Sequence, residues 1–413
     1  MRSRFCIAAL LAFLVSNAQS ADSVRIAYIN GISGTFAIQG EEQLKAFRAA
    51  AEWVNGRGGL LGGKTIEIVP FDNKNNPQES LIMLNQALDQ DIHYVVSTVS
   101  SVVHALNDAI GKNNARNPGR RALLLNFNAL DPALTEGKCS FWHFRFEPHS
   151  DMQLSALTDA IAKDRSRHRV YLINQDYAYG QSVSRAAREM LSTKRPDIQI
   201  VGDDLHPLGK VKDFAPYVSK IRAAGADSVI TGNWGNDLSL LIKASKEAGL
   251  ESTYYTLFGA FFGTPAAIGA SGADRVKTSY AWHINAADGA WEPRLVQFRS
   301  RYKATSDMAY LPAFRVVEML AAAMTKSGSS DPVKVAYALE GLDYPGPTGR
   351  SWMRPADHQL MAPIHLMSFA KAGSPGVKHD AEGTGFGWKT DALIDAKDTA
   401  PPIRCQMERP PRP

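Results

Sequence analysis

The length, composition and charge of the chain limit the classes of protein to which it can belong. It has 413 residues, of which 45% are hydrophobic and 21% are charged, as is usual for a globular protein. The formal net charge of +5 is too small and too scattered to predict binding to nucleic acid or to a membrane surface. The chain is too long for one ordinary α/β core and suits two lobes.

The first 21 residues have the pattern of a secretory signal peptide. Arg2 and Arg4 provide a positive start, an apolar run extends from Phe5 to Val15, and residues 16–21 offer small side chains for cleavage. Cys6 lies within the apolar run rather than at its end, so no lipoprotein anchor is predicted. No later segment reaches the roughly 18 uncharged apolar residues that a membrane helix needs. We therefore expect an exported, freely soluble protein without stable membrane insertion.

Two cysteines, Cys139 and Cys405, would remain after cleavage. Because the predicted compartment is oxidising and the number of cysteines is even, a disulfide between them is favoured over two free thiols. Such a bond would tie the C-terminal tail to the middle of the chain.

Alternating strands and helices are predicted from residue 24 onward. The first unit is predicted to contain strands Val24–Ile29, Thr65–Val69, Tyr94–Val99 and Ala122–Phe127, a helix with Leu44, Phe47, Ala51 and Val54 on one face, and a helix that begins at Pro77. The order β-α-β-α-β implies a mostly parallel sheet.

The pattern starts again near residue 169, so two α/β units joined near residues 145–150 are expected. The strands predicted for the second unit are Arg169–Ile173, Ile198–Val201, Ser228–Thr231 and Tyr254–Leu257. A further strand, Lys277–Trp282, and a long helix around Phe314 are expected to return to the first unit. One more strand, His365–Phe369, is predicted before an irregular tail, Pro401–Pro413.

A glycine-rich run at residues 58–65 matches the phosphate-loop template G-x-x-x-x-G-K-[ST] letter for letter. That loop needs a strand before it and a helix after it. Here the run follows a predicted helix and leads into a strand, which predicts a tight turn instead. The sequence also shows no metal-ligand spacing and no G-x-S-x-G motif, so no cofactor, metal or catalytic group is predicted.

Ligands in open α/β sheets bind beyond the carboxyl ends of the strands. Ser100 and Ser101 lie beyond such a strand end, at the predicted start of a helix. Their hydroxyls and the helix N–H groups would hold a carboxylate. The alternative is that one of the two serines only caps its own helix. Four aromatic residues are predicted on strand-end loops: Phe36, Tyr179, Trp234 and Phe258. Each alone is more typical of packing, but their shared placement favours ligand contact.

An ordered series of short motifs resembles the leucine/isoleucine/valine-binding family of periplasmic proteins. The motifs are Ile32-Ser33-Gly34, Asn55-Gly56-Arg57-Gly58-Gly59-Leu60, Phe71-Asp72-Asn73, Tyr94-Val95-Val96, Tyr177-Ala178-Tyr179-Gly180 and Ala248-Gly249-Leu250. The resemblance implies a type I two-lobe α/β fold, each lobe a mostly parallel sheet flanked by helices, with three hinge crossings. After the predicted signal peptide at 1–21, we expect the N-terminal lobe at 22–146 and 276–345, the C-terminal lobe at 147–275 and 346–370, and a C-terminal extension at 371–413.

The same resemblance assigns residues to the ligand cleft. The matched positions are Gln39 near a first-lobe contact, Ser100 and Ser101 on the serine loop that holds the ligand carboxylate, Asn128, Ala129 and Leu130 on a loop that adds polar and backbone contacts, Tyr179 on the tyrosine that closes over the ligand, and Trp234 where the family often has a tyrosine.

One departure from the family pattern decides the expected ligand. Members that bind amino acids carry a carboxylate near the position of Phe258 for the ligand ammonium, whereas residues 256–262 contain no acid. The cysteine pair of leucine-binding members is also missing, with Asn75 and Ser100 in its place. A buried, unpaired ammonium is costly, and the aromatic side chains offer rings for stacking. An aromatic or aliphatic carboxylate, or a similarly uncharged small molecule, is therefore favoured over a branched-chain amino acid.

The resemblance implies a monomeric periplasmic protein that closes its lobes on a small molecule and delivers it to the membrane permease of an ATP-driven importer. Tyr179 and Trp234 would favour the closed form from the second lobe. No bond chemistry is implied. Two alternatives stay open: a ligand sensor of the same fold, and an exported hydrolase or periplasmic accessory to an oxidoreductase, which would need a reactive set of residues in the cleft.

Overall fold

The computed structural model describes residues 23–286 and 289–413, so the predicted signal peptide lies outside the described residues. The first lobe contains β1 (Ser23–Asn30), α1 (Ala37–Asn55), β2 (Thr65–Asp72), α2 (Pro77–Asp89), β3 (Tyr94–Ser97), α3 (Ser100–Arg116), β4 (Leu123–Asn126) and β5 (His143–Arg145). Its strands are all parallel and lie in the order β2-β1-β3-β4-β5, which confirms the predicted parallel sheet.

The second lobe begins directly after β5. It contains α4 (Ser150–Lys163), β6 (Arg169–Gln175), α5 (Ala178–Lys194), β7 (Gln199–His206), α6 (Ala215–Ala223), β8 (Ser228–Thr231), α7 (Asn236–Glu247), β9 (Thr253–Thr256), α8 (Thr264–Ile268) and β10 (Val276–Tyr280). In the part of the chain that the structure describes, no helix is long and apolar enough to cross a membrane.

The last part of the chain contributes to both lobes. It contains α9 (Trp291–Tyr302), α10 (Tyr310–Ser327), α11 (Pro332–Leu339), β11 (Asp343–Gly346), β12 (Gly349–Met353), β13 (Leu360–Met361), β14 (Ile364–Lys371) and β15 (Phe386–Ile394). Helix α10 packs against α1 of the first lobe. Strands β14 and β15 complete the second sheet, β15-β14-β10-β9-β8-β6-β7, while β11, β12 and β13 form a small antiparallel sheet. The predicted two-lobe α/β fold is confirmed, and the chain passes between the lobes after β5, β10 and β13.

Two segments lie in a different place from the predicted boundaries. The sequence predicts that strand 277–282 returns to the first lobe, but β10 pairs in parallel with β9 inside the second sheet. Likewise, part of the expected C-terminal extension forms β15, the edge strand of that sheet. The hydrophobic pattern of a strand shows that it is buried, but it does not show which sheet buries it.

The glycine-rich run at residues 58–65 is a turn between α1 and β2, as predicted. Leu60 and Lys64 exchange two backbone hydrogen bonds of 2.7 Å that close the turn. Gly59 has φ +68°, and a Cβ there would lie 2.3 Å from the carbonyl oxygen of Lys64. The run therefore needs glycine for its geometry, and it does not begin a helix as a phosphate loop would.

A fully buried ion pair joins α10 to the first crossing between the lobes. Nη1 of Arg315 lies 2.7 Å from Oε1 of Glu147 and also donates to the carbonyl oxygen of Phe146 at 3.1 Å. Both charged side chains are inaccessible to solvent. The pair therefore fixes the first crossing against the first lobe.

A disulfide between Cys139 and Cys405 attaches the C-terminal tail to the first lobe, as predicted. The tail is irregular after residue 400. The hydroxyl of Tyr337 donates to the carbonyl oxygen of Pro410 at 2.5 Å, and Nη1 of Arg354 donates to that of Pro401 at 3.0 Å. Because the tail follows β15 of the second lobe, it adds a covalent connection between the lobes to the three crossings.

Candidate ligand-binding site

A cavity lies between the two lobes. The first lobe lines it with residues from α1 and from the loops after β1, β2, β3 and β4. The second lobe lines it with residues that follow β6, β8 and β9. These are the carboxyl ends of parallel strands, where open α/β sheets place their ligands.

Eight of the ten residues predicted for the site line this cavity: Phe36, Gln39, Ser100, Asn128, Leu130, Tyr179, Trp234 and Phe258. Ser101 and Ala129 do not belong to the lining. The N–H of Ala129 donates to Oδ1 of Asn126 at 2.7 Å, and its carbonyl oxygen accepts from Nη1 of Arg145 at 3.2 Å, so its backbone is engaged within the first lobe. Contact of the other eight residues with a ligand stays a prediction.

Nine lining residues are absent from the predicted set: Asn30, Gly31, Gly40, Gln43, Asn75, Thr98, Val99, Tyr177 and Phe261. Five of these stand within three positions of a predicted residue. Gln43 follows Gln39 by one helical turn on α1, which is a spacing that would have identified it. Asn75 comes from the loop after β2, and its Oδ1 accepts a hydrogen bond from the N–H of Gly31 at 3.1 Å.

The first turn of α3 borders the cavity through Val99 and Ser100. Val99 occupies the N-cap position with φ +64°, a value that β-branched residues rarely adopt. Backbone strain of this kind persists only where the surrounding structure holds it in place. It is found most often at ligand sites and active sites. Ser100 is therefore not the cap of its helix. Its Oγ accepts from the N–H of Asp131 at 3.2 Å, which leaves the hydroxyl hydrogen available for a ligand.

Four residues of the lining bury a polar atom that has no hydrogen-bond partner among the described residues. The atoms are Nδ2 of Asn30, Oε1 of Gln39, Oδ1 of Asn128 and the hydroxyl oxygen of Tyr179. Buried polar groups are nearly always paired in native proteins, by protein, water or ligand. These atoms therefore indicate where a bound molecule would form hydrogen bonds.

Aromatic side chains form the second-lobe wall of the cavity. Nε1 of Trp234 donates to the hydroxyl of Tyr177 at 2.9 Å. The rings of Tyr179 and Phe258 lie 5.8 Å apart, and those of Phe258 and Phe261 lie 5.3 Å apart. Burial raises the pKa of both tyrosines above the usual value of a phenol, so both hydroxyls remain neutral. The wall thus offers apolar rings and neutral hydroxyl groups.

Among the described residues, those that line the cavity include no acidic residue, basic residue or histidine. Two buried carboxylates in the same region are already engaged: Asp131 binds Nε2 of His104 at 2.7 Å, and Asp237 accepts from Nε2 of Gln175 at 2.8 Å. Burial alone would raise the pKa of Asp131, but hydrogen bonds from His104 and from the N–H of Ala133 lower it. The described lining of the cavity therefore consists of neutral side chains.

The described residues contain no cluster of His, Cys, Asp and Glu that would suit a metal ion.

Known proteins resemble the chain over nearly its whole length. A family described as periplasmic binding protein matches residues 23–374. A protein of Brucella melitensis named Leu/Ile/Val-binding protein homolog 4 is 30% identical over 406 residues, which cover 95% of this chain and 94% of that protein. The closed crystal structure of a leucine-, isoleucine-, valine-, threonine- and alanine-binding protein from Brucella ovis is similar with a TM-score of 0.83 at 28% identity, covering 94% of this chain and 100% of that one.

A more distant solved structure shares the fold. It is the solute-binding protein of an ABC transporter from R. palustris, in complex with 4-hydroxybenzoate. Its TM-score is 0.77 at 19% identity, and the match covers 91% of this chain and 97% of that chain.

Proposed function

The chain belongs to the periplasmic binding protein family, and we propose that this member captures a small organic carboxylate that lacks an ammonium group. Its relatives are substrate-binding proteins of transporters, so the proposal concerns the ligand rather than the class of protein. The observation that carries the proposal is the uncharged lining of the cavity. An ammonium enclosed there would have no carboxylate partner, and an uncompensated buried charge is strongly destabilising.

The cavity offers partners for the two ends of such a ligand. The first-turn N–H groups of α3 and the hydroxyl of Ser100 suit a carboxylate, because helix N-termini favour anions. The rings of Trp234 and Phe258 suit an apolar or aromatic body. The unpartnered hydroxyl of Tyr179 would form a hydrogen bond with a polar substituent on that body.

Amino-acid binding is the second candidate, and the names of the relatives favour it. In that case the ammonium would have to be held by neutral acceptors alone. Oε1 of Gln39 and Oδ1 of Asn128 are the buried oxygens without a partner that would serve. A direct comparison of ligands that differ only in the ammonium group therefore separates the two candidates.

The proposed mechanism is closure of the lobes around the carboxylate. The first lobe supplies most of the polar groups, whereas Tyr179 and Trp234 add contacts from the second lobe. A ligand that contacts both walls binds the closed form better than the open form and so shifts the population toward it. The permease of the importer would then recognise the closed lobes by their outer faces.

Matched pairs of ligands test the proposal. Protein refolded from denaturant, and so free of carried-over ligand, is titrated calorimetrically with leucine and 4-methylpentanoate, and with phenylalanine and 3-phenylpropanoate. Benzoate and 4-hydroxybenzoate complete the panel. We expect heat of binding only from the ligands that lack an ammonium group, together with a rise in melting temperature by mass action. Binding of leucine with no binding of 4-methylpentanoate would contradict the proposed ligand class and favour the amino-acid candidate.

A further inference from the structure

We propose that Glu382 is a positioning residue for the ligand site, because its carboxylate holds the loop that carries Phe258 and Phe261 into the cavity. Glu382 itself does not belong to the cavity lining. It also lies beyond residue 374, where the match to the family ends. The inference rests on the proposed function in one respect, namely that the cavity between the lobes is where the solute binds.

The loop in question follows β9 and extends through α8. The N–H of Phe261 donates to the carbonyl oxygen of Phe258 at 3.0 Å, and the N–H of Thr264 donates to that of Phe261 at 3.0 Å. These two bonds connect the aromatic residues to the start of α8. The chain turns there through Gly263, which has φ +75° and precedes the helix. The position of the first residues of α8 therefore fixes the position of both rings.

The carboxylate of Glu382 binds the backbone at this turn. Oε1 accepts from the N–H of Gly263 at 2.7 Å, and Oε2 accepts from the N–H of Ala266 at 3.1 Å. Both oxygens of one side chain are thus used on one short segment. Because the two oxygens bind the backbone at positions three residues apart, the side chain holds the segment at two points, which a side chain with one acceptor would not do.

Glu382 is presented by a well-connected turn between β14 and β15. The N–H of Ala381 donates to the carbonyl oxygen of Phe386 at 2.7 Å, and the hydroxyl of Thr384 donates to the carbonyl oxygen of Ala381 at 2.7 Å. The N–H of His379 donates to Oδ1 of Asn285 at 2.7 Å, which ties the turn to the second crossing between the lobes. These hydrogen bonds hold the turn in place, so the carboxylate of Glu382 is held in position to bind the loop that carries Phe258 and Phe261.

The test compares three variants of the full-length mature protein. Glu382→Ala removes both acceptor oxygens, whereas Glu382→Gln keeps one. Asp380→Ala is the matched control, because its carboxylate accepts from the N–H of Gly385 at 3.0 Å within the turn. Hydrogen–deuterium exchange of the ligand-free proteins is followed by mass spectrometry in peptides covering residues 257–268.

We expect exchange in residues 257–268 to accelerate about tenfold in Glu382→Ala, less in Glu382→Gln and not at all in Asp380→Ala. Benzoate and leucine serve as binding probes. The affinity for whichever probe binds the wild type should fall about tenfold in Glu382→Ala and recover in part in Glu382→Gln.

Two results would overturn the proposal: unchanged exchange in Glu382→Ala, or faster exchange with unchanged affinity for the bound probe. Binding of leucine but not of benzoate would count against the proposed ligand class and would leave the role of Glu382 to be tested with leucine. If the wild type binds neither probe, the affinity measurement gives no reading. Exchange of residues 257–268 then decides by itself whether Glu382 holds the loop.

Discussion

Phe36 of the first lobe and Trp234 of the second lobe face each other across the cleft, with ring centroids 4.6 Å apart. Phe36 directly precedes α1, and Trp234 follows β8, so the contact requires the lobes to be close together. An aromatic pair at this distance contributes about 0.5–1.5 kcal/mol beyond the burial of its area. The pair therefore favours the closed form even before a ligand adds its own contacts.

Loss of this pair is expected to open the protein. Trp234→Leu should increase the radius of gyration of the ligand-free protein in small-angle X-ray scattering, because the closed form loses a contact that the open form lacks. The affinity for the ligand should fall about tenfold, which corresponds to about 1.4 kcal/mol. Trp352→Leu is the control, since Trp352 lies in the small antiparallel sheet outside the cavity. Equal scattering by wild type and Trp234→Leu would contradict the expectation.

The two serines at the start of α3 give a second, internally controlled prediction. Ser100 is buried and lines the cavity, whereas Ser101 is half-buried and does not. We expect Ser100→Ala to weaken binding of a carboxylate ligand about tenfold, because a hydrogen bond to a charged group contributes about 1.5–3 kcal/mol. Ser101→Ala should change the dissociation constant by less than about twofold. Calorimetric titration of both variants tests this expectation. Equal losses of affinity in the two variants would indicate that the ligand does not contact Ser100.

The sequence alone was sufficient to predict the fold and about half of the residues that line the cavity. The strand runs Val24–Ile29 and Ser228–Thr231 contain consecutive apolar residues at Ile26–Ala27 and Val229–Ile230, which is typical of parallel strands buried on both faces. The resemblance to the binding-protein family supplied the expectation that Trp234 of the second lobe faces the first lobe. Parallel strands end at one edge of a sheet, so the first-lobe residues Ser100 and Asn128 were expected to lie close together. That expectation needs only the order of the elements, and the order is readable from periodicity.

The remaining features depend on geometry that the order of elements does not contain. Ser100 and Ser101 are adjacent in sequence, but successive helical residues point about 100° apart, so only one faces the cavity. The partner of Gly263 is Glu382, more than a hundred positions away, and no local pattern connects the two. The sheet that β10 joins is likewise set by its neighbour β9, not by its own residues.

The buried pair of Arg315 and Glu147 predicts an asymmetry between single and double substitutions. Arg315→Met leaves the Glu147 carboxylate buried without its partner at 2.7 Å, which should lower the free energy of unfolding by about 3–5 kcal/mol. Arg315→Met combined with Glu147→Leu removes both charges and should recover much of that loss. Urea unfolding measures both. A double variant as unstable as the single variant would show that packing, rather than the unpaired charge, dominates at this position.

Two buried histidines predict a loss of stability in acid. His283 and His365 both contact Oγ1 of Thr390, at 2.6 Å and 3.2 Å. Burial lowers the pKa of His283 to about 3, with a further contribution from His365, and lowers that of His365 to about 4. Histidines in the unfolded chain titrate near ~6.5, so unfolding takes up protons between these values. Stability should therefore fall as the pH drops from about 6.5 to about 4, by up to ~1.4 kcal/mol per pH unit for each group.

The contribution of the two histidines is measured as a slope. Urea unfolding at several pH values should give a shallower dependence for His365→Gln than for the wild type, because one proton fewer is taken up. Identical slopes for wild type and His365→Gln would contradict the prediction.

The disulfide between Cys139 and Cys405 should stabilise the protein without affecting ligand affinity. It spans 266 positions, and closing so long a loop restricts the unfolded chain enough to contribute about 5–6 kcal/mol in the chain-entropy description. Neither cysteine lines the cavity between the lobes. The variant with both Cys139→Ser and Cys405→Ser should therefore melt earlier and bind ligand normally. A reducing agent should lower the melting temperature of the wild type but not that of the variant. If the wild type melted at the same temperature with and without the reductant, the disulfide would not stabilise the folded protein and the prediction would be wrong.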